Sequence, residues 1–238
     1  MKIVSFKICP FVQRVTALLD AKNIGYEIEY ISLSNKPQWF LDVSPHGQVP
    51  LLITDNGDAL FESDAIVEYI EEVTSALESQ ITPEQRALDR AWSYMATKHY
   101  LSQCSNMRSH DASTYQERTE KLNSIYHKAN DKVAGPFFKG DQLSNVDIAW
   151  LPLLHRADIV AKHSHIDPLA DFPNVKRWQQ HLLNTGLFAQ SVADDFEDNF
   201  IAFYLNDETY LGKDITSFKK CDSTCNSSAT TRERTACC

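Results

Sequence analysis

Apolar residues in the first part of the chain recur with the periods of both strands and helices. The run at 2–7 predicts a strand, and apolar positions from Phe11 to Leu19 return on one face of a helix that follows Pro10 and ends at Gly25. The other predicted elements of this half are strands at 26–33, 49–54 and 59–62, a short irregular helix at 37–42, and a helix capped by Ser63. Their order, βαβαββα, predicts a compact α/β unit, which we place at 1–74.

From Pro83 onward, after a linker at 75–83, the pattern is helical almost throughout. The first two predicted helices of this half lie at 84–107 and 114–134. Ser144 and Asp147 have the spacing of a capping box, with Asp in place of the usual Glu, and so mark the start of a further helix. We therefore predict an all-helical unit at 84–213.

Composition and charge exclude several functional classes. The chain of 238 residues is 43% apolar, so it can bury real cores, and its net charge of −9 argues against nucleic acid as the main partner. No apolar run approaches the roughly 18 residues that a membrane span needs. The chain opens directly into a predicted strand with no signal peptide, so we expect a cytoplasmic, reducing location. The polar tail at 214–238 lacks apolar periodicity, and we expect it to be disordered.

Cys9 lies where the first strand gives way to the first helix. Pro10 suits the first helical position, which makes Cys9 the N-cap, facing free N–H groups and the positive end of the helix dipole. Lowering a thiol pKa of about 8.5 by about two units would raise its ionised fraction at pH 7 from about 3% to roughly 75%. We therefore predict a reactive thiolate, with a buried structural cysteine as the alternative. Neither Cys9 nor Cys104, the two cysteines before the tail, belongs to a C-x-x-C pair.

The order of short motifs resembles one known family. A strand leads to the Cys-Pro-Phe helix, followed by Asn-Lys-Pro-Gln-Trp-Phe at 35–40, Ser-Pro-His-Gly-Gln-Val-Pro at 44–50 and Glu-Ser-Asp at 62–64. With the helical second half, these motifs resemble a cytosolic glutathione transferase over 1–212. The chain is most similar to the cysteine-type members: the omega and lambda classes and the dehydroascorbate reductases. The resemblance implies a thioredoxin-like α/β domain followed by an all-α domain, the glutathione transferase fold.

The resemblance also implies roles for single residues. Cys9 would be the catalytic residue that forms a mixed disulfide with glutathione. Phe11 would line the glutathione site, although its spacing fits the helix core equally well. Lys36 would reach the glycyl carboxylate of glutathione, although a surface lysine is often simply solvated.

Val49–Pro50 and Glu62–Ser63 match two further parts of a glutathione site. The first pair matches a cis-proline turn that exposes the N–H and C=O of Val49, which would bind the cysteinyl part of glutathione as an added strand. The second pair matches the residues that bind the γ-glutamyl end. Ser63 at a helix start offers a hydroxyl and free N–H groups to a carboxylate, and Glu62 can accept from an ammonium. An ordinary trans proline and a plain N-cap are the alternatives.

The implied activity is that of a glutathione-dependent thiol transferase or reductase. Cys9 would attack glutathione mixed disulfides or dehydroascorbate, with glutathione as co-substrate, no permanently bound cofactor and no metal. The second substrate, a small thiol-reactive or disulfide compound, would bind between the domains beside Trp92 and Tyr100, although aromatics at helical spacing are more often core. The family resemblance also implies a homodimer.

Two other functions stay open at this point. One is conjugation of glutathione to electrophiles, with Cys9 merely near the reacting atoms. The other is a non-catalytic binding module, as in the chloride intracellular channel proteins, which share a similar Cys-Pro-Phe segment. The paired Cys237 and Cys238 resemble the end of some prenylated proteins, but their context favours a disordered tail without a lipid.

Overall fold

The computed structural model describes residues 1–213, which begin with a four-stranded sheet and three helices. The bounds are β1 Lys2–Ser5, α1 Pro10–Ala21, β2 Glu27–Tyr30, α2 Gln38–Val43, β3 Leu51–Ile53, β4 Ala59–Phe61 and α3 Ser63–Val73. The strand order is β2-β1-β3-β4, with β1 parallel to β2, antiparallel to β3, and β3 antiparallel to β4. The predicted order βαβαββα is confirmed. The predicted tail at 214–238 lies outside the described residues.

The central strand β1 sends alternate side chains to the two faces of the sheet. Ile3 packs with Val15 and Leu18 of α1, whereas Val4 packs with Phe40 of α2 on the opposite face. The strand ends earlier than the predicted 2–7, because a turn follows it directly. This turn delivers the chain to the start of α1 at the edge of the core.

The second part of the described chain consists of helices. Their bounds are α4 Pro83–Met107, α5 Ala112–Asn130, α6 Asn145–His163, α7 Pro173–Asn184, α8 Leu187–Gln190 and α9 Phe196–Tyr204. The helix α6 packs against α1, α4 and α7, so one hydrophobic core runs from Ile3 in the sheet to Trp150 in α6. Where the two domains divide within 74–84 stays a prediction. None of the described helices combines the length and apolarity of a membrane span.

The start of α6 has the predicted capping box. The buried Asp147 carboxylate accepts from the Ser144 N–H at 2.8 Å, from the Phe138 N–H at 2.8 Å and from the Trp178 indole N–H at 2.6 Å. One side chain therefore satisfies a helix terminus, a preceding loop and a tryptophan of α7. This cluster fixes α6, the helix against which α1 and the turn before it are packed.

Candidate active site

Cys9 lies in the tight turn between β1 and α1. Its N–H donates to the Phe6 oxygen at 3.0 Å, and its own oxygen accepts the Gln13 N–H at 3.1 Å. Pro10 is the first residue of α1, so Cys9 occupies the N-cap position. The Cys9 Sγ is 3.9 Å from the oxygen of Val49. The thiol therefore stands between the beginning of α1 and the turn that leads into β3.

The prediction that Cys9 is ionised at neutral pH is wrong. Burial raises the pKa of the Cys9 thiol to about 11. The N–H groups of Val12 and Phe11 at the helix start lower this pKa, as does the Arg156 guanidinium, but they do not compensate for burial. The local sequence reveals the helix terminus, whereas the desolvation comes from parts of the chain far away in sequence.

A cleft of about 290 Å³ opens beside the Cys9 sulfur. All seven residues predicted for the catalytic and glutathione sites line it: Cys9, Phe11, Lys36, Val49, Pro50, Glu62 and Ser63. The other seven lining residues have no role that the sequence predicts; they are Leu33, Ser44, His46, Gly47, Gln48, Phe61 and Leu101. Most of these belong to the same loops as the predicted residues, so proximity in sequence was the signal available for them.

The Val49–Pro50 peptide bond is cis, as predicted. β3 begins only at Leu51, so Val49 lies just outside the ladder that joins β3 to β1. Within residues 1–213 the Val49 N–H donates to no partner. The backbone of Val49 therefore presents a free donor and an accessible carbonyl to the cleft, which is the edge that an extended peptide can join.

Glu62 and Ser63 form the junction between β4 and α3. Glu62 has a φ of +66°, a left-handed conformation that is uncommon for a residue with a side chain and is found most often at functional sites. Ser63 is the first residue of α3, so the free N–H groups of that helix lie at the cleft. An ion pair between Arg14 of α1 and Asp64 ties the beginning of α3 to α1. The junction therefore presents a carboxylate, a hydroxyl and a helix N-terminus together.

Lys36 supplies a positive charge to the lining of the cleft. Its Nζ lies against Gly47, where an added Cβ would stand 3.6 Å from the amine. Gly47 has a φ of +56°, which favours glycine at this turn. Among the described residues, Lys36 forms neither an ion pair nor a hydrogen bond. Its charge is therefore available to an anionic ligand.

The predicted second-substrate residues Trp92 and Tyr100 do not line this cleft, which corrects that expectation. Tyr100 is fully buried, donates its hydroxyl to the Ala149 oxygen and meets the Phe11 ring edge-on at 5.1 Å. The half-buried Trp92 packs its ring against Phe138 at 4.9 Å. Both point from α4 into the helical core, as aromatics at helical spacing usually do. The α4 residue that reaches the cleft is the next one after Tyr100, Leu101.

The cleft thus combines a thiol, an unpaired backbone N–H, one cation, one carboxylate and a helix N-terminus. A short extended peptide with carboxylates at its ends, an ammonium group and a central sulfur would satisfy each of these groups. Within residues 1–213, no group of three or more His, Cys, Asp or Glu is positioned to hold a metal ion. The arrangement is therefore suited to sulfur chemistry on a peptide-like ligand.

Comparison with protein families gives matches over most of the described chain. The family described as glutathione S-transferase, N-terminal domain, matches residues 8–73. The family described as glutathione S-transferase, C-terminal domain, matches residues 91–185. The first match includes every lining residue of the cleft except Leu101.

Comparison with individual proteins gives relatives of the same kind. The chain is 30% identical to "Probable glutathione S-transferase DHAR1, cytosolic" of Oryza sativa subsp. japonica, over 65% of this chain and 70% of that protein. It is 27% identical to "Glutathione S-transferase omega-1" of Rattus norvegicus, over 87% of each chain. Among solved structures, it resembles glutathione transferase Omega 3C of Trametes versicolor with a TM-score of 0.70 and 27% identity, over 81% of this chain and 89% of that one.

Proposed function

The chain belongs to the glutathione S-transferase family, and we propose that it is a cysteine-type member that reduces glutathione mixed disulfides through Cys9. One observation carries this proposal. The Cys9 sulfur lies in the same cleft as the Val49 N–H, which donates to no partner within residues 1–213, and is 3.9 Å from the Val49 oxygen. A ligand whose central residue pairs with that backbone brings its own sulfur beside Cys9.

Glutathione fits the charges around the cleft. Its glycyl carboxylate would meet Lys36, and its cysteinyl N–H and C=O would pair with Val49 as a short added strand. The γ-glutamyl carboxylate would accept from the Ser63 hydroxyl and the first N–H groups of α3, while its ammonium donates to Glu62. Phe11 forms the apolar side of the site, supported from behind by Tyr100.

The reaction is two successive thiol–disulfide exchanges. The Cys9 thiolate attacks the glutathione sulfur of a mixed disulfide, the Cys9–glutathione bond forms, the old disulfide bond breaks, and the substrate leaves as a thiolate that takes up a proton. The thiolate of a second glutathione attacks the same glutathione sulfur, which forms oxidised glutathione and releases the Cys9 thiolate. Because burial raises the pKa of Cys9 to about 11, the ionised fraction is small at neutral pH, but a thiolate of high pKa is the stronger nucleophile. We therefore expect the rate to increase with pH.

The same sulfur can reduce dehydroascorbate. The Cys9 thiolate adds to a carbonyl carbon and forms a thiohemiketal. A glutathione thiolate then attacks the Cys9 sulfur, which releases ascorbate and leaves the Cys9–glutathione disulfide. A second glutathione resolves this disulfide as before. Resemblance to the rice DHAR1 protein supports this substrate beside mixed disulfides.

Replacement of the nucleophile tests the proposal. We expect Cys9→Ser to lose glutathione-dependent reduction of hydroxyethyl disulfide and of dehydroascorbate by at least roughly a thousandfold, because no other described residue that lines the cleft carries a sulfur. Cys104→Ser is the matched control and should retain both activities. Conjugation of glutathione to chlorodinitrobenzene, measured in parallel, should not fall in Cys9→Ser.

Other outcomes would overturn the proposal. Reductase activity that survives in Cys9→Ser would remove the sulfur from the mechanism. Conjugation as the main activity of the native protein would favour the electrophile transferase. Absence of all three activities, with no retention on immobilised glutathione, would favour a non-catalytic binding module.

We further propose that the protein is a cytoplasmic homodimer. Leu88 on α4 and Val73 on α3 expose 59% and 53% of their surfaces, and a second copy of the chain would remove this apolar surface from water. The cytosolic rice relative supports the location. Light scattering of the full chain should give twice its 27.1 kDa mass, and a monomer at micromolar concentration would refute the dimer.

A further inference from the structure

Arg156 is a fully buried guanidinium in the middle of α6. Its Nη1 donates to the Gln13 Oε1 at 2.6 Å and to the Pro152 oxygen at 3.0 Å, and its Nη2 donates to the Ile8 oxygen at 2.9 Å. Its Nε has no partner, and no carboxylate among residues 1–213 forms an ion pair with it. A guanidinium keeps its proton in proteins, so this buried positive charge is permanent.

A buried charge without an opposite charge is unusual, because the energy of desolvation is then left uncompensated. Arg14 on α1 is buried to a similar degree, but it has the carboxylate of Asp64 as its partner. In the described part of the chain, Arg156 contacts neutral oxygens and the ring of Phe196, whose centre is 5.6 Å from the guanidinium carbon. Both terminal nitrogens of Arg156 therefore donate hydrogen bonds, but among residues 1–213 no anion balances its charge.

A group that can become an anion follows directly after one of these oxygens. Arg156 binds the carbonyl of Ile8, and Cys9 is the next residue. We propose that the Cys9 thiolate is the missing counter-charge of Arg156, which makes Arg156 a positioning residue for the exchange reaction. This inference rests on the proposed function: Cys9 is negative when it attacks the mixed disulfide and negative again when it leaves.

The other charged or titratable groups around Cys9 do not supply this positive charge. Burial and the Arg156 charge lower the pKa of His155 to about 3, so this ring is neutral. Burial raises the pKa of Tyr204, which also stays neutral, and Cys104 on α4 raises the pKa of Cys9. Across the cleft, Lys36 and Glu62 are of opposite sign. Among the groups that lie behind Cys9, Arg156 therefore provides the positive charge, and it lowers the Cys9 pKa.

Gln13→Glu tests the missing counter-charge without removing any side-chain volume. A carboxylate at this position would accept from Arg156 in place of the amide oxygen, and His155 would donate to it by changing its tautomer. The guanidinium would then have a permanent partner and would no longer favour a thiolate at Cys9. We expect the same direction of change in Arg156→Met, and retention of most reactivity in Arg156→Lys, which keeps the charge.

The measurement is the rate at which iodoacetamide alkylates Cys9, followed by peptide mass spectrometry at pH 7, 8 and 9. For the native protein the rate should increase roughly tenfold per pH unit, because the pKa of Cys9 lies well above this range. In Gln13→Glu and Arg156→Met the rate should be at least roughly threefold lower at each pH, since loss of ionised thiol exceeds the gain in nucleophilicity.

Gln179→Glu is the matched control. It places the same substitution on another buried amide, whose Nε2 donates to the Leu154 oxygen, and it should leave Cys9 alkylation unchanged. An unchanged alkylation rate in folded Gln13→Glu would overturn the proposal, whether or not Arg156→Met folds. Because alkylation needs no glutathione, this result is independent of whether the proposed reductase activity is found.

Discussion

Two buried charges on one helix have opposite surroundings. Asp147, at the start of α6, accepts hydrogen bonds from Ser144, Phe138 and Trp178. Arg156, two and a half turns later, has within residues 1–213 no partner for its Nε and no carboxylate. A charge that is fully satisfied within the fold contributes to stability and needs nothing further. A buried charge without an opposite charge can still form an ion pair. Arg156 is such a charge, and it binds the carbonyl of Ile8, the residue before the reactive Cys9.

The largest effect we expect is the loss of stability in Asp147→Ala. This change leaves the N–H groups of Ser144 and Phe138 and the indole N–H of Trp178 buried without an acceptor. Breaking a buried charged network of this kind costs about 3–5 kcal/mol in the free energy of unfolding. Urea unfolding measures the loss.

Asp141→Ala removes an exposed carboxylate from the loop before α6 and serves as the control for this measurement. We expect its free energy of unfolding to stay within about 0.5 kcal/mol of the native value. If Asp147→Ala lost no more stability than this control, the contrast between Asp147 and Arg156 would be wrong, because the hydrogen bonds of Asp147 would then not stabilise the fold.

The two charges also differ in how visible they are in the sequence. Asp147 follows Ser144 by three residues, and this local spacing is enough to predict its role as a helix cap. Arg156 lies mid-helix, where arginine is normally exposed, and it is buried here because α1 and Phe196 of α9 pack against it. A charge with a local partner can be predicted from sequence, whereas one completed by distant residues cannot.

The residues of the cleft also differ in whether local sequence or distant parts of the chain determine their properties. The Cys-Pro-Phe, Val-Pro and Glu-Ser motifs all reach it, because each occupies a turn or helix start whose geometry is local. Two tertiary properties were missed: the raised pKa of Cys9, which comes from burial, and the approach of Leu101 from α4. Tyr100 and Leu101 are neighbours in sequence, but about 100° of helical rotation puts only one of them on the cleft.

An intermediate effect is expected at Lys36, a charge that is also unpaired but lies at the surface of the cleft. Lys36→Met should weaken glutathione binding by about 1–2 kcal/mol, or roughly 5- to 30-fold, since one charge-assisted contact to a partly solvated carboxylate is lost. The KM for glutathione should rise with little change in kcat. Lys36→Arg should recover most of the affinity.

Lys132→Met is the control for loss of a lysine charge, because Lys132 is exposed and outside the cleft. Its KM should match that of the native protein. A Lys36→Met protein with native KM would show that another group holds the glycyl end of the ligand. Lys36 would then not be a charge that binds glutathione.

An effect of similar size sharpens the comparison most directly: the stability of Arg156→Met. Removal of the guanidinium leaves the oxygens of Ile8 and Gln13 without their donor, but it also removes a buried charge whose desolvation was uncompensated. We expect these opposing contributions to leave a net loss of about 1–2 kcal/mol in the free energy of unfolding, below that of Asp147→Ala. Urea unfolding of both variants under the same conditions gives the ranking. If Arg156→Met lost as much stability as Asp147→Ala, both charges would be structural, and slower alkylation of Cys9 in that variant would reflect a distorted turn rather than a lost counter-charge.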